Sequence, residues 1–472
     1  MRPLTATILT LVWLPASAPA QARPPVRPAT ERFVSVNAPV VALTGVRVMD
    51  GRGGLPLDDM TIIIRDSLIA TVGPRGTTPV PADAKVLDLA GHTVIPGLVG
   101  LHEHTYFGGM RHMTEMAASS GPLYLALGVT TAMTAGSQFP YHELSLKRAV
   151  DAGELPGPRF LITGPYFAGS APRVSMSRRV RTAEEARRVV AYWADEGATW
   201  FKVQGDVTRE ILAAIIRAAH ARGLKVTGHL CSITFTEAAT LGIDALQHGF
   251  ITNSDYVPGK QPDQCPKENM RIQADVDVAS SAVQASIRQI VHAKASVVST
   301  LAVYETFMPG RARLDPLAME MLDPDARQEV EANHANLEQA GLIVPPRLLA
   351  KMMQWERDFV AAGGLLGAGS DPWGTGLLPG FGNMRNYELL CEAGFSPAEA
   401  IRIMTLNGAR ILGEDARVGS VSPGKVADLV VIRGDPTRTL SDIYNVVTVF
   451  RGGLGYDANL LRGAAKGLVG LR

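Results

Sequence analysis

An excess of charge of either sign is missing from this chain of 472 residues, as are long apolar runs and more than a few cysteines. Its 46 Lys and Arg stand against 45 Asp and Glu, a formal net charge of +1, so the basic surface that a nucleic-acid partner needs is not available. After the first residues no run reaches the ~18 apolar positions of a membrane-spanning helix, so no stable membrane anchor is expected. Three cysteines are too few for a disulfide-built scaffold. Stability must come from a core, which a composition of 46% hydrophobic and 19% charged residues can supply. The partner left by these exclusions is a small molecule recognised locally, with homo-oligomerisation left open.

The N-terminus reads as an export signal. Arg2 gives a positive start, Leu4 to Leu14 is apolar but too short to span a bilayer, and Ala20-Gln21-Ala22 offers small residues for cleavage after Ala22. Residues 1–22 are therefore expected to be removed, leaving a periplasmic or secreted protein without a lipid anchor, since no Cys lies nearby. Residues 23–39, rich in Pro and Ala, read as a linker.

Two kinds of pattern follow. Val40–Val48, Met60–Ile64, Leu68–Val72 and Lys85–Leu89 are short β-type runs separated by turn residues, and Gly424 to Ile432 and Val446–Arg451 repeat that character near the C-terminus. Residues 40–96 and 412–472 are thus expected to build one β-sandwich together. Between them, residues 97–411 alternate strands with helices. Eight strands are expected, at Thr93–Ile95, Val129–Thr134, Phe160–Thr163, Thr199–Val203, Lys225–Gly228, Ala245–Gln247, Ser296–Thr300 and Leu365–Ala368. The clearest helix is Thr208–Arg222, with Ile211, Leu212, Ile215, Ile216 and Ala219 at helical spacing. Eight such units argue for an α/β fold, a (β/α)8 TIM-like barrel whose chemistry sits at the C-terminal strand ends.

Metal-ligating residue types stand at those ends. His102 and His104 are two apart on an extended segment, which turns both imidazoles to one face. Lys202 lies at the end of the fourth strand, and His229, His248 and Asp371 follow the fifth, sixth and eighth. A lysine ammonium beside two cations would be repelled, so Lys202 fits this set if CO2 converts it to a carbamate that bridges two divalent metal ions. The remaining histidines, His92, His112, His142, His220, His292 and His334, lack such placement and read as surface, core or supporting residues. Cys231 and Cys265 follow adjacent strands on the same face, so a disulfide between them is expected, leaving Cys391 as an odd thiol. The long segment from Ala302 to Pro346, with a helical run Asp325–Ala340, is either a lid over the site or an outer decoration.

From Pro96-Gly97-Leu98-Val99-Gly100-Leu101-His102-Glu103-His104 to Gly424-Lys425-Val426-Ala427-Asp428-Leu429, the chain resembles the metal-dependent amidohydrolases of the imidazolonepropionase-like and lysine-bridged dipeptidase branch. The resemblance implies a barrel with a composite β-sandwich and two divalent metals, zinc for preference. His102, His104 and Asp371 would hold one ion and His229 and His248 the other, with carboxylated Lys202 and a hydroxide between them. Asp371 would also handle the proton of an attack on a small amide, such as an N-acyl amino acid or a dipeptide. Three departures bear on the substrate. Gly100 stands where the family usually has an Asp, Cys231 where the dipeptidases tend to have a tyrosine, and Tyr166 where they tend to have a histidine. Tyr166 is the candidate partner of the substrate carbonyl. A mononuclear cyclic-amide hydrolase or deaminase, a lactone or carbamate hydrolase, and a non-catalytic metal-binding protein on a borrowed barrel fit the same residues.

Overall fold

Apolar β-type runs from the two ends of the chain meet in one nine-stranded sheet. The computed structural model describes residues 23–109, 113–169, 177–340 and 344–471. Across the sheet the order is Val34–Val36, Leu454–Asp457, Val446–Arg451, Leu429–Arg433, His92–Pro96, Val40–Val48, Leu57–Arg65 and Leu68–Pro74, with Lys85–Asp88 also paired to Val40–Val48. Val41, Leu43, Ile62, Ile64, Val94, Leu429, Val431 and Phe450 form its core. Each such side chain, fully buried, contributes about 1.5–3 kcal/mol.

The segment expected as a linker is partly built into this body: Pro28–Glu31 is a helical turn, and Val34–Val36 pairs with Leu454–Asp457. Its Pro and Ala content masked Val34 and Val36, which a short edge strand needs and which the structure places against the C-terminal hairpin. The expected export signal, residues 1–22, lies outside the described residues. Among those residues no helix is long and apolar enough to cross a membrane.

The middle of the chain alternates strands and helices. Parallel strands run at Leu98–Glu103, Val129–Thr134, Arg159–Leu161, Trp200–Val203, Lys225–Gly228, Ala245–Gln247, Ser296–Ser299 and Leu366–Ala368. The first three form one sheet and the last five another, each with neighbours in chain order, and the second sheet adds Phe167–Ala168 and Arg178–Arg179 at its edge. Backbone hydrogen bonds span both gaps: Thr199 N and Trp200 N to Ile162 O at 2.9 and 3.5 Å, and Asp371 N to His102 O at 2.8 Å. Among the described residues the ladders make two parallel sheets rather than one continuous ring.

The first parallel strand corrects the sequence reading. Thr93–Ile95, expected to open the barrel, belongs to the nine-stranded sheet, where His92–Pro96 pairs antiparallel with Leu429–Arg433 and parallel with Val40–Val48. Both strands are apolar and buried, so periodicity could not divide them; the Pro96-Gly97 break does. The next strand carries an irregularity that matters for the site. Gly100 faces Ala132 and Glu103 faces Thr134, so the first strand uses three steps where its neighbour uses two. Such a bulge re-aims the side chains beyond it.

The expected helix over 208–222 forms as Arg209–His220, with the Thr208 side chain accepting from Ile211 N. That cap is worth about 1 kcal/mol. Ile211, Leu212, Ile215, Ile216 and Ala219 are buried, as their spacing requires. The run expected over 325–340 forms as Pro324–Ala340. Parallel strands of this kind bring their carboxyl ends to one rim, which is where α/β sheets place ligands.

Candidate active site

Each candidate ligand sits at the carboxyl end of a parallel strand. His102 lies within the first and His104 just beyond it; Lys202 lies in the fourth, and His229 and His248 directly follow the fifth and sixth. Asp371 comes three residues after the eighth. The Asp371 carboxylate is the meeting point. Its Oδ1 is 3.0 Å from His104 Nε2 and 3.5 Å from His102 Nε2, and its Oδ2 is 3.7 Å from His248 Nδ1. One donor atom from each of His102, His104 and Asp371 falls within 4.8 Å of the others, a candidate metal site. His248 and Asp371 both have left-handed backbone, φ 69° and 49°, unusual for residues with a side chain. Strain of this sort persists where surrounding structure enforces it, as at a binding site.

The second group adjoins the first. The His248 ring is 4.6 Å from that of His102 and 4.5 Å from that of His229, centroid to centroid. Lys202 is buried, at 1% exposure, with its charge felt by His102, His248 and Asp371. Burial pulls its amine down to about 7, opposed by Asp371. Burial, followed by neighbouring cationic groups, also holds His102 and His248 well below the usual histidine range. Neutral imidazoles are the form that binds a metal, so the donor set suits a divalent ion.

Supporting residues fix these rings, and the sequence reading had passed over most of them. His102 Nδ1 is 2.7 Å from Gln247 Oε1, and Gln247 in turn donates to Thr227 Oγ1 at 2.7 Å. Because an amide oxygen only accepts, His102 must carry its proton on Nδ1, leaving the Nε2 lone pair toward Asp371. Thr300 Oγ1 is 2.8 Å from His248 Nδ1. The Tyr124 hydroxyl donates to His104 O at 2.8 Å and accepts from His104 N at 3.0 Å. Glu103 is completely buried, which raises its carboxyl to about 7 against hydrogen bonds from Ser370 and Asn383. The one available signal for Gln247 and Thr300 is their position: a polar residue at the end of an apolar strand, next to a candidate ligand.

Tyr166 reaches this centre. Its hydroxyl is 2.8 Å from that of Tyr106 and 3.5 Å from His104 Nε2. Desolvation keeps Tyr166 a neutral hydroxyl, far above the usual tyrosine range, so it can serve as a hydrogen-bond donor. Tyr304, at the start of the long segment after the seventh strand, lies 5.5 Å from the His248 ring, so that segment contributes to the wall of the site.

Cys231 and Cys265 form the expected disulfide, and Cys391 is a half-buried free thiol. The bridge ties the loop after the sixth strand to the residues beside His229. Between them opens a cavity of about 330 Å3, lined by His229, Cys231, Ile251, Thr252, Asn269 and Met270 among others. The remaining histidines stay away from the centre: His142 pairs with Glu115 and His220 with Asp244, His92 is in the nine-stranded sheet, and His292 and His334 are on helices. His112 lies outside the described residues.

Known proteins resemble this chain over most of its length. The chain is 24% identical over 403 residues to the imidazolonepropionase of Deinococcus deserti, covering 82% of this chain and 88% of that one. Among solved structures it resembles a candidate prolidase from Bifidobacterium longum, with 26% identity, a TM-score of 0.63, and coverage of 90% of this chain and 98% of the other. A Xaa-Pro dipeptidase with methionine in its active site superposes with a TM-score of 0.63 at 18% identity, over 89% of this chain and all of that one, 100%. The α/β fold is accordingly of the amidohydrolase type. With residues 93–301 and 357–454 matching the model of the amidohydrolase family, the chain belongs to that family.

Proposed function

We propose that this protein is an exported, metal-dependent amidohydrolase that cleaves the amide bond of an N-acyl amino acid, a dipeptide or a related small amide. The observation that carries this reading is the buried convergence of His102, His104 and His248 on the two oxygens of Asp371. In the proposed architecture residues 97–411 close into a (β/α)8 barrel, supported by the hydrogen bonds that span both gaps between the parallel sheets. Residues 40–96 and 412–472 form the accompanying β-sandwich, and residues 1–22 direct export to the periplasm or beyond.

Two divalent ions, zinc for preference, would be held by His102, His104 and Asp371 on one side and by His229 and His248 on the other. Carboxylated Lys202 would lie between them. Addition of CO2 requires the neutral amine, which deep burial of Lys202 favours; the amine loses a proton as the N–C bond forms, giving a carbamate anion. When bound, such metals lower the pKa of water and polarise a carbonyl. Asp371 would take the proton from the attacking water and deliver it to the leaving nitrogen. Tyr166, held by Tyr106, would donate to the substrate carbonyl oxygen as charge develops there. Gln247 keeps His102 in the tautomer that ligation demands. The cavity beside His229 has a volume suited to a small substrate.

The likeness to imidazolonepropionase favours a second reading, a mononuclear hydrolase of a cyclic amide with Lys202 unmodified. Metal content and mass of the intact protein, combined with assays on N-acyl amino acids, dipeptides, lactones and cyclic amides, separate the two. Two ions per chain, a CO2-dependent centre and turnover of linear amides are expected. One tightly held ion and turnover of cyclic amides alone would transfer the assignment to the second reading.

A further inference from the structure

Glu103 stands between His102 and His104, yet its carboxylate makes its contacts elsewhere. Oε1 accepts from Asn383 Nδ2 at 2.8 Å and from the backbone N–H of Ser370 at 3.3 Å, while Oε2 accepts from the Ser370 hydroxyl. Ser370 is the residue before Asp371, whose own N–H donates to His102 O at 2.8 Å. The left-handed backbone of Asp371, φ 49°, is thus reached from one side by Glu103 and from the other by His102.

The geometry of the first strand explains how a residue at this position can do so. Strict alternation would set Gly100 and Glu103 on opposite faces. The bulge between them, three steps against two, brings Glu103 round to the side on which Gly100 lies. A Cβ added at Gly100 would collide with this carboxylate, lying 2.7 Å from Glu103 Cδ. Gly369 leaves equally little room, since a Cβ there would come within 2.8 Å of His102 Cα. Two glycines let the strand ends close on each other, and a buried carboxylate fills the gap. Burial of an acidic group with no metal or ion-pair role costs several kcal/mol unless its hydrogen bonds are used.

We propose that Glu103 is a positioning residue that locks Asp371 against the His102–His104 pair and so sets the affinity of the metal site. Its carboxylate occupies the spot that a side chain at position 100 would otherwise fill. This rests on the reading of His102, His104 and Asp371 as metal ligands. The competing role is ordinary fold stabilisation by a buried hydrogen-bond cluster.

Full-length protein, stripped and reloaded with zinc or cobalt alone, distinguishes them through metal affinity measured by chelator competition and apo-protein melting. Glu103→Ala should weaken the metal by about 10–100-fold, the usual cost of losing a support for a ligand, and Glu103→Gln, which keeps one acceptor oxygen, by less. Gly100→Asp should also weaken it, because two carboxyl groups then compete for one place. Combining Gly100→Asp with Glu103→Ala should restore about tenfold over Glu103→Ala alone, since the new carboxyl falls where the old one was. A folded Glu103→Ala with wild-type metal affinity would overturn the proposal, and so would a double variant no better than the poorer single. If Glu103→Ala does not fold, Glu103→Gln with and without Gly100→Asp gives the same comparison. Wild-type protein that binds neither metal refutes the site itself, whereas a metallated wild type beside an indifferent variant refutes the Glu103 role alone.

Discussion

Glu356 offers a test of the folded interior that owes nothing to the reaction. It lies on the helix Pro346–Ala361, fully buried behind the seventh strand, and neither carboxylate oxygen has a hydrogen-bond partner among the described residues. Desolvation raises it from 4.5 to about 8. The folded protein therefore keeps this group protonated where the unfolded chain has already released the proton. Stability is complete below the unfolded value and declines as pH rises toward the folded one. Integrated from pH 5 to pH 8, the loss is about 3.5 kcal/mol, an order-of-magnitude figure. Unfolding entropy for a chain of this length is about 1 kcal/mol per kelvin, so the loss corresponds to about 3–4 °C in melting temperature. Glu356→Gln has no proton to lose. Melted with wild type in a metal-free buffer series, it should gain about that much on wild type between pH 5 and pH 8, whatever its offset at pH 5. A gap that stays constant across the series would refute the argument.

The remaining expectations concern the site. Asp371→Asn should lower kcat by about 10²–10⁴-fold, as loss of a proton-transfer group does, and near-normal turnover would remove Asp371 from that role. Lys202→Ala should lose metal and activity together, with partial recovery on adding short carboxylic acids; full metal content in the variant would rule out a lysine bridge. Tyr166→Phe should lower kcat by about 10²-fold with little change in metal content, and an unchanged rate would show that its hydroxyl makes no bond specific to the transition state. Replacing both Cys231 and Cys265 by serine opens a loop with a sequence separation of 34, which should cost about 3–4 kcal/mol by chain entropy. Chemical denaturation of the oxidised and double-serine proteins measures that difference, and equal midpoints would show that the loop is held by its packing alone.

Much of the arrangement could be read from residue order because each signal was local. The His102-Glu103-His104 run, the apolar spacing of Ile211 to Ala219 and the turn-punctuated strands near both ends all express themselves within a few residues. Thr93–Ile95 was misassigned because a buried strand of the nine-stranded sheet and a buried strand of the parallel sheets are both continuous apolar runs. Val34–Val36 escaped notice because an edge strand of three residues has too little pattern to outweigh its Pro- and Ala-rich surroundings. Gln247, Thr300 and Tyr106 acquire their roles only when separate strand ends converge, and no property of their immediate neighbours announces that. Glu103 was visible but uninterpreted, since the bulge that redirects it is a property of pairing between two strands.

Because one sheet draws strands from both chain ends, its assembly is timed by synthesis. The central strand His92–Pro96 has Val40–Val48 on one side early, but its other neighbour is Leu429–Arg433. At about 5–20 residues per second, the stretch from Pro96 to Leu429 keeps that apolar edge without its final partner for about 20–70 s. Val34 waits longer still, for Tyr456. The nascent chain must be shielded throughout that interval, and a product that stops before Leu429 would carry an open template for aggregation even with every candidate metal ligand in place.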